Sequence, residues 1–157
     1  IAGTLERAWV RDVGPDGTLV WCSWDHPGGY LDGGNYYSAR WNGTAWVTST
    51  ICPTGGVFPN RDIDLGDPQP YRGGASVDTD GTVWVSRRTT GTTWTIDRWQ
   101  RTGESWASVE TATTSSTVRA VRPFCPVNRS TGPRVVWAEV VEYTSPGLFI
   151  ARPRWAA

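Results

Sequence analysis

Tryptophan returns at a nearly constant interval along this chain, each time inside the same order of turns and apolar runs. The stretch 80–106 opens on the turn Asp80-Gly81-Thr82 and continues through Val83-Trp84-Val85. A second run ends at Trp99, and a polar turn leads to Trp106. The same order occurs at Asp16-Gly17-Thr18, Leu19 to Trp21, Tyr36 to Trp41, Asn42-Gly43-Thr44 and Trp46. It recurs in part at Val135-Val136-Trp137 and Leu148 to Trp155. Landmarks repeat at roughly 55–65 residues, a period that, with several short strands per unit, marks propeller blades. The expected class is all-β: a β-propeller of four-stranded antiparallel blades. About three blades are expected here, over 5–51, 71–111 and 118–155.

Composition agrees. The 157 residues include 11 Trp, 18 Gly and 11 Pro, and no stretch keeps a 3.6-residue apolar period. Runs between turns are rich in Trp, Val, Thr and Tyr, which suit a pleated, half-buried surface. The formal net charge is +0 and every basic residue is Arg, without a basic stripe, which argues against nucleic acid as a partner. No apolar run approaches the roughly 20 residues that span a bilayer, so membrane insertion is not expected. No signal-peptide pattern is present, and Met is absent, which reads as a processed chain or a piece of a longer one. Cys22, Cys52 and Cys125 match no zinc spacing. Either all three are small buried hydrophobes, or two of them pair in an oxidising compartment.

In order, strands are expected at Leu5 to Asp12, Leu19 to Trp24, Tyr36 to Trp41 and Ala45 to Ile51. The second blade takes Tyr71 to Asp78, Val83 to Arg88, Thr93 to Gln100 and Trp106 to Thr111. Ala112 to Thr117 reads as a low-complexity crossing. The third blade takes Val118 to Cys125, Arg134 to Val141 and Leu148 to Arg154, and lacks a fourth strand. Asn42-Gly43 is a strong hairpin signal. Three blades cannot close a ring, since propellers typically need about four to eight. The chain is therefore the tail part of a longer propeller, the preferred reading, or it pairs with other copies or chains.

The turns Trp41-Asn42-Gly43-Thr44-Ala45-Trp46 and Arg101-Thr102-Gly103-Glu104-Ser105-Trp106 resemble shortened Asp-boxes of BNR repeats, with Asn at the acidic position of the first. Three segments together resemble the C-terminal half of the fourth BNR-repeat family: Tyr36 to Gly43, Tyr71-Arg72-Gly73-Gly74, and Val121-Arg122-Pro123-Phe124-Cys125-Pro126. The resemblance covers about 13–150. That family comprises seven-bladed, sialidase-like propellers and includes polysaccharide lyases and secreted or phage-borne proteins. The resemblance implies a glycan-facing propeller at the cell exterior or on a virion surface, such as a phage tail. It leaves open whether the glycan is cleaved or held.

Strand alternation puts the long connections 25–35 and 52–70 on one face of the disc, where binding residues collect. His26, the one histidine, is the candidate to neutralise or deprotonate a uronate if the protein is a lyase. In the lyases this chain resembles, a Tyr and an Arg near the channel act as acid/base and carboxylate clamp. By motif these roles fall to Tyr71 and Arg72. Arg122 suits a sugar carboxylate through its planar guanidinium. Tyr30, Asp32 and Asn35 could read hydroxyls, and Trp24 could stack on a sugar ring. The structural alternative is a loop hydrogen bond for His26, inter-blade ties for the arginines and core packing for Trp24. No cofactor is expected. Asp62, Asp64 and Asp67 have a spacing reminiscent of a calcium loop, with a solvated acidic turn as the alternative. The expected function is a carbohydrate-binding module whose partners are a glycan and further propeller blades from the same or another chain. A lyase acting on uronate-containing glycans and a structural assembly element are the alternatives.

Overall fold

A computed structural model describes residues 8–23, 35–55, 74–89, 93–115, 117, 119–126, 131–145 and 148–157. Among them are three antiparallel sheets. Blade 1 is formed by β1 (Ala8–Val13), β2 (Leu19–Ser23), β3 (Asn35–Trp41) and β4 (Trp46–Pro53), paired in chain order. Blade 2 repeats this with β5 (Gly74–Val77), β6 (Val83–Arg88), β7 (Trp94–Thr102) and β8 (Ser105–Ser115). Blade 3 has β9 (Arg119–Phe124), β10 (Val135–Ser145) and β11 (Leu148–Ala156). The first strands lie side by side, β1 against β5 and β5 against β9, while β4 meets β8 at the outside. This is part of a β-propeller, with open sheets at both ends.

Strand period two sorts each blade into two faces. The first seam joins Val20, Cys22, Tyr36, Ile51 and Cys52 of blade 1 to Ala75, Val77, Val83 and Val85 of blade 2, with Trp99 and Trp106 packed on it. The second joins Trp84, Trp94 and Ile96 of blade 2 to Ala120, Val121, Cys125, Val135 and Trp137 of blade 3. Blade 2 therefore has no solvent face over its inner half, and β5 reads buried at every position. All three cysteines are buried thiols, in line with the first of the two readings above.

One expectation fails. The Ser/Thr-rich stretch after Thr111 is not a crossing: β8 runs on to Ser115, with Ile96 facing Thr113 and Trp94 facing Ser115. Threonine is β-branched and suits an outer strand, so low complexity there does not end the ladder. The Asn42-Gly43 hairpin is present but wider than a two-residue turn. Trp41 pairs with Trp46, and Asn42 Oδ1 accepts the amides of Thr44 (2.9 Å) and Ala45 (2.8 Å).

The turns between first and second strands repeat atom for atom. Gly14 N donates to Thr18 O and Gly17 N to Gly14 O, as Asp78 N does to Thr82 O and Gly81 N to Asp78 O. Gly17 and Gly81, with φ of 76° and 80°, make this turn possible. Each turn also offers one carboxylate to two arginines. Asp16 Oδ2 lies 3.6 Å from Arg40 of its own blade and 3.9 Å from Arg101 of the next. Asp80 Oδ2 lies 2.7 Å from Arg98 of its own blade and 3.0 Å from Arg134 of the next.

Burial alone would raise the Asp80 carboxyl. The hydroxyl and amide of Thr82 and the Arg98 guanidinium outweigh it and hold the group below its ordinary 3.8. Asp16 is lowered likewise, burial being outweighed by Thr18, Arg40 and Arg101. A carboxyl lowered in the folded state contributes stability that is present above its unfolded pKa and is lost as pH falls through the folded one. The urea midpoint should therefore fall between about pH 6 and about pH 3. Asp80→Asn should flatten that acid limb while leaving the slope of the unfolding transition unchanged. Equal acid sensitivity in the variant would show that the turn carboxylates do not tie the blades.

Candidate functional site

The ends of β1 to β4 that carry the long connections lie on one edge, because Ala8 pairs with Ser23, Ser23 with Asn35 and Asn35 with Pro53. We call this the loop end, and the opposite edge, with the short turns, the hairpin end. β5 begins at the loop end with Gly74, which pairs with Ser86.

Blades 1 and 2 meet there at one hydroxyl, and blade 3 packs beside it. The Tyr36 side chain, 1% exposed, donates to Ser86 O at 2.7 Å and accepts from Gly74 N at 2.8 Å. Gly74 adopts φ 135°, and a Cβ there would lie 3.1 Å from Arg122 Cα and 3.2 Å from Pro123 Cδ. A side chain at position 74 would thus push blade 3 away. Ser86 Oγ donates to Ala120 O at 2.5 Å, holding β9 from the other side.

Arg122 itself sits in a bulge. Val121 pairs with Ala138 and Phe124 with Val136, so Arg122 and Pro123 together oppose Trp137. Arg122 has φ 54°, the one non-glycine residue with positive φ among those described, and it is exposed while Val121 and Pro123 are buried. A bulge of this kind re-aims a side chain, and such bulges collect beside binding sites. The result is a planar guanidinium presented from the innermost strand of blade 3, beside the start of β5. It can pair with a carboxylate or with vicinal hydroxyls.

Of the residues singled out from the sequence, Asn35 and Arg122 are described. Trp24, His26, Tyr30, Asp32, Tyr71 and Arg72, with the acidic run Asp62, Asp64 and Asp67, lie outside the described residues. Asn35 is at the loop end of β3, on the side of blade 1 turned away from blade 2. Its Nδ2 donates to the Tyr37 hydroxyl at 3.3 Å, and Tyr37 stacks on Trp21 with ring centroids 5.7 Å apart. Asn35 and Arg122 stand on the first and third blades, Asn35 at the loop end of β3 and Arg122 one rung from Phe124 in β9.

Sequence reasoning missed Tyr36 and Gly74 as the supports of Arg122. The signal was partly present: Tyr36 lies on the same side of β3 as Ser38, and Gly74 closes a glycine pair before a strand. What makes them one junction is contact between separate blades, which no local pattern encodes.

Two other groups are structural in character. Asp97, buried in the first seam, accepts Arg87 Nε at 2.6 Å and the hydroxyls of Thr95 and Thr111 at 2.8 Å each. Burial pushes the nearby Cys52 thiol up to about 12, with Arg87 lowering it and Asp97 raising it, so Cys52 is an inert thiol and not a nucleophile. At the hairpin end a shallow cavity of about 380 Å³ opens between the β3–β4 and β7–β8 turns, with Arg40, Arg101 and Glu104 in its lining. Both arginines there share the Asp16 carboxylate, which leaves little net charge for a ligand.

No family model matches the chain, and no curated protein matches it. Among solved structures, an ulvan lyase described as a new family of polysaccharide lyase is similar over 86% of this chain, with a TM-score of 0.50 and 13% identity. An ulvan lyase structure bound to -[GlcA(1-4)Rha3S]- gives 0.49 at the same identity and coverage. The chain spans 30% of the length of these lyases. At this identity the likeness is one of fold.

Tyr36→Phe keeps the ring and removes the hydroxyl, leaving Gly74 N and Ser86 O buried without it. A loss of about 1–3 kcal/mol is expected. Urea unfolding checks this. A change within error of zero would mean that the hydroxyl does not hold the junction.

Proposed function

We propose that this chain is a carbohydrate-binding β-propeller module that recognises a cell-surface or extracellular glycan through its loop end. The observation that supports it best is the bulged, exposed Arg122 on the innermost strand of blade 3, packed against Gly74, where β5 begins. A rigid backbone presenting one guanidinium suits a sugar carboxylate, because little backbone freedom remains to be lost on binding. The fold likeness to an ulvan lyase is compatible with a uronate-containing ligand, as is the resemblance of the repeat turns to BNR repeats. On this reading the protein works outside the cell or on a virion, where such glycans are displayed.

The second reading is a polysaccharide lyase. It is favoured by the fold neighbour and by Tyr71 and Arg72, which stand three and two positions before Gly74 in the chain. Arg122 or Arg72 would then clamp the uronate carboxylate, and His26 with Tyr71 would move the proton. Incubation with a panel of uronate polysaccharides separates the readings. Unsaturated products absorb in the ultraviolet, and a flat trace beside measurable binding favours the module.

Binding to immobilised uronate glycans should weaken roughly 10- to 100-fold in Arg122→Gly, as expected for loss of a charge-assisted contact. The same variant should keep its β-sheet circular dichroism, because glycine accepts the positive φ that arginine resists. Wild-type binding by Arg122→Gly, or no saccharide bound by the unmodified chain, would reject the site.

A further inference from the structure

The β3–β4 and β7–β8 hairpins end in tips that are built alike and carry different chemistry. In blade 2 the tip is Thr102-Gly103-Glu104-Ser105, with Gly103 at φ 63°. In blade 1 it is Asn42-Gly43-Thr44-Ala45, with Gly43 at φ 102°. Every residue of both tips is exposed. Blade 2 has a blade packed on either side, so a tip at this position stays in solvent even where its blade is covered on both faces.

The blade 1 tip holds a side-chain amide in a reactive setting. Asn42 Oδ1 accepts from Thr44 N at 2.9 Å and from Ala45 N at 2.8 Å, which draws electron density away from Cγ. Two backbone N–H groups aimed at one carbonyl oxygen are the arrangement that stabilises a developing oxyanion. Asn42 Nδ2 and Gly43 N donate to nothing among the described residues. The amide nitrogen is thus free to leave, and the peptide nitrogen beside Cγ is free to lose its proton. Position 43 has no Cβ to shield that nitrogen, and no heavy atom lies within 4 Å of where one would stand. The other asparagines, Asn35, Asn60 and Asn128, do not precede glycine.

We propose that Asn42-Gly43 is a self-modifying turn, at which the folded chain deamidates with water as the sole co-reactant. The Gly43 nitrogen, its proton lost to water, bonds to Asn42 Cγ. The Cγ–Nδ2 bond breaks, Nδ2 leaves as ammonia, and a succinimide ring remains. One water then opens the ring at either carbonyl. Breaking the bond to Cγ leaves an ordinary aspartate, and breaking the bond to the main-chain carbonyl leaves an isoaspartate. One water is consumed and one ammonia released, and nothing is oxidised or reduced. The aspartate keeps an oxygen that accepts from Thr44 and Ala45. The isoaspartate lengthens the main chain by a methylene and disturbs the turn that Asn42 N closes onto Ala45 O at 3.0 Å. Either product adds a negative charge to the cavity that Asn42 lines together with Arg40, Arg101 and Glu104.

Incubation of the folded chain at about pH 7 to about pH 9, followed by charge-sensitive chromatography and peptide mapping by mass spectrometry, tests this. Asn42 should convert before Asn35, Asn60 and Asn128, with one ammonia released for each acidic product. The rate should rise with pH, because the Gly43 N–H has to ionise. Gly43→Ala should slow conversion at least about tenfold, since a Cβ then shields the nitrogen. The unmodified chain held in urea gives a comparison that needs no variant, should alanine at that positive φ disturb the hairpin. Conversion of Asn42 in the folded state at a rate matching or exceeding that in urea supports the proposal. Conversion in urea alone would mean that the two N–H groups lock the side chain away from Gly43 N, and would overturn it. Another asparagine changing first in the folded chain would overturn it equally.

Discussion

A line of hydrogen bonds runs across all three inner strands and fixes how the blades stand to one another. Cys125 N–H donates to Ser76 Oγ, Ser76 Oγ–H donates to Asp12 Oδ2, and Val77 N–H donates to the same carboxylate oxygen. Apolar contact in the seams supplies attraction but little direction, since Val and Trp faces can slide. A partly buried carboxylate and a hydroxyl that is both donor and acceptor cannot slide without leaving a buried group unsatisfied. The line thus sets the height of each inner strand, and the height of β5 against β9 places Gly74 beside Arg122.

The same logic operates at three depths. Inside, the Asp12–Ser76 line sets height. At the loop end, the Tyr36 hydroxyl spans blades 1 and 2, and Ser86 Oγ spans blades 2 and 3. At the hairpin end, Asp16 and Asp80 each draw an arginine from their own blade and another from the next. The hairpin-end pairs are exposed and individually weak, so their role is alignment more than strength. The inner bonds cost more to break, because water does not replace them. The backbone of β9, Arg122 included, is therefore held at a fixed place against blade 2.

Equivalent positions carry different chemistry according to what covers them. Within the seams, Asp12, Ser38 and Ser76 meet donors from the following blade. At the two ends of the stack, Phe124, Trp155, Trp41 and Trp46 occupy the corresponding places and remain largely exposed. Large exposed aromatic patches mark interaction surfaces in soluble proteins. Among the described residues, the distribution of polar and aromatic residues over repeat positions thus follows which faces another blade covers.

The sequence by itself determined the class, the repeat, the number of blades and most strand positions. Those follow from period-two apolar runs such as Val83-Trp84-Val85 and from glycine turns at Gly17 and Gly81, which depend on neighbours a few residues away. It also located Arg122 as a candidate contact, from a guanidinium before proline on an inner strand. It misjudged Ser115, because a threonine run looks like a linker until its partner strand is known. Tertiary structure alone decided that Arg122 lies in a bulge at positive φ, that Gly74 must lack a side chain to admit it, and that Tyr36, fifty positions from Ser86, holds the junction. Those facts come from blades packing on blades, where residues far apart in the chain share one buried space, and local pattern carries no record of such contact.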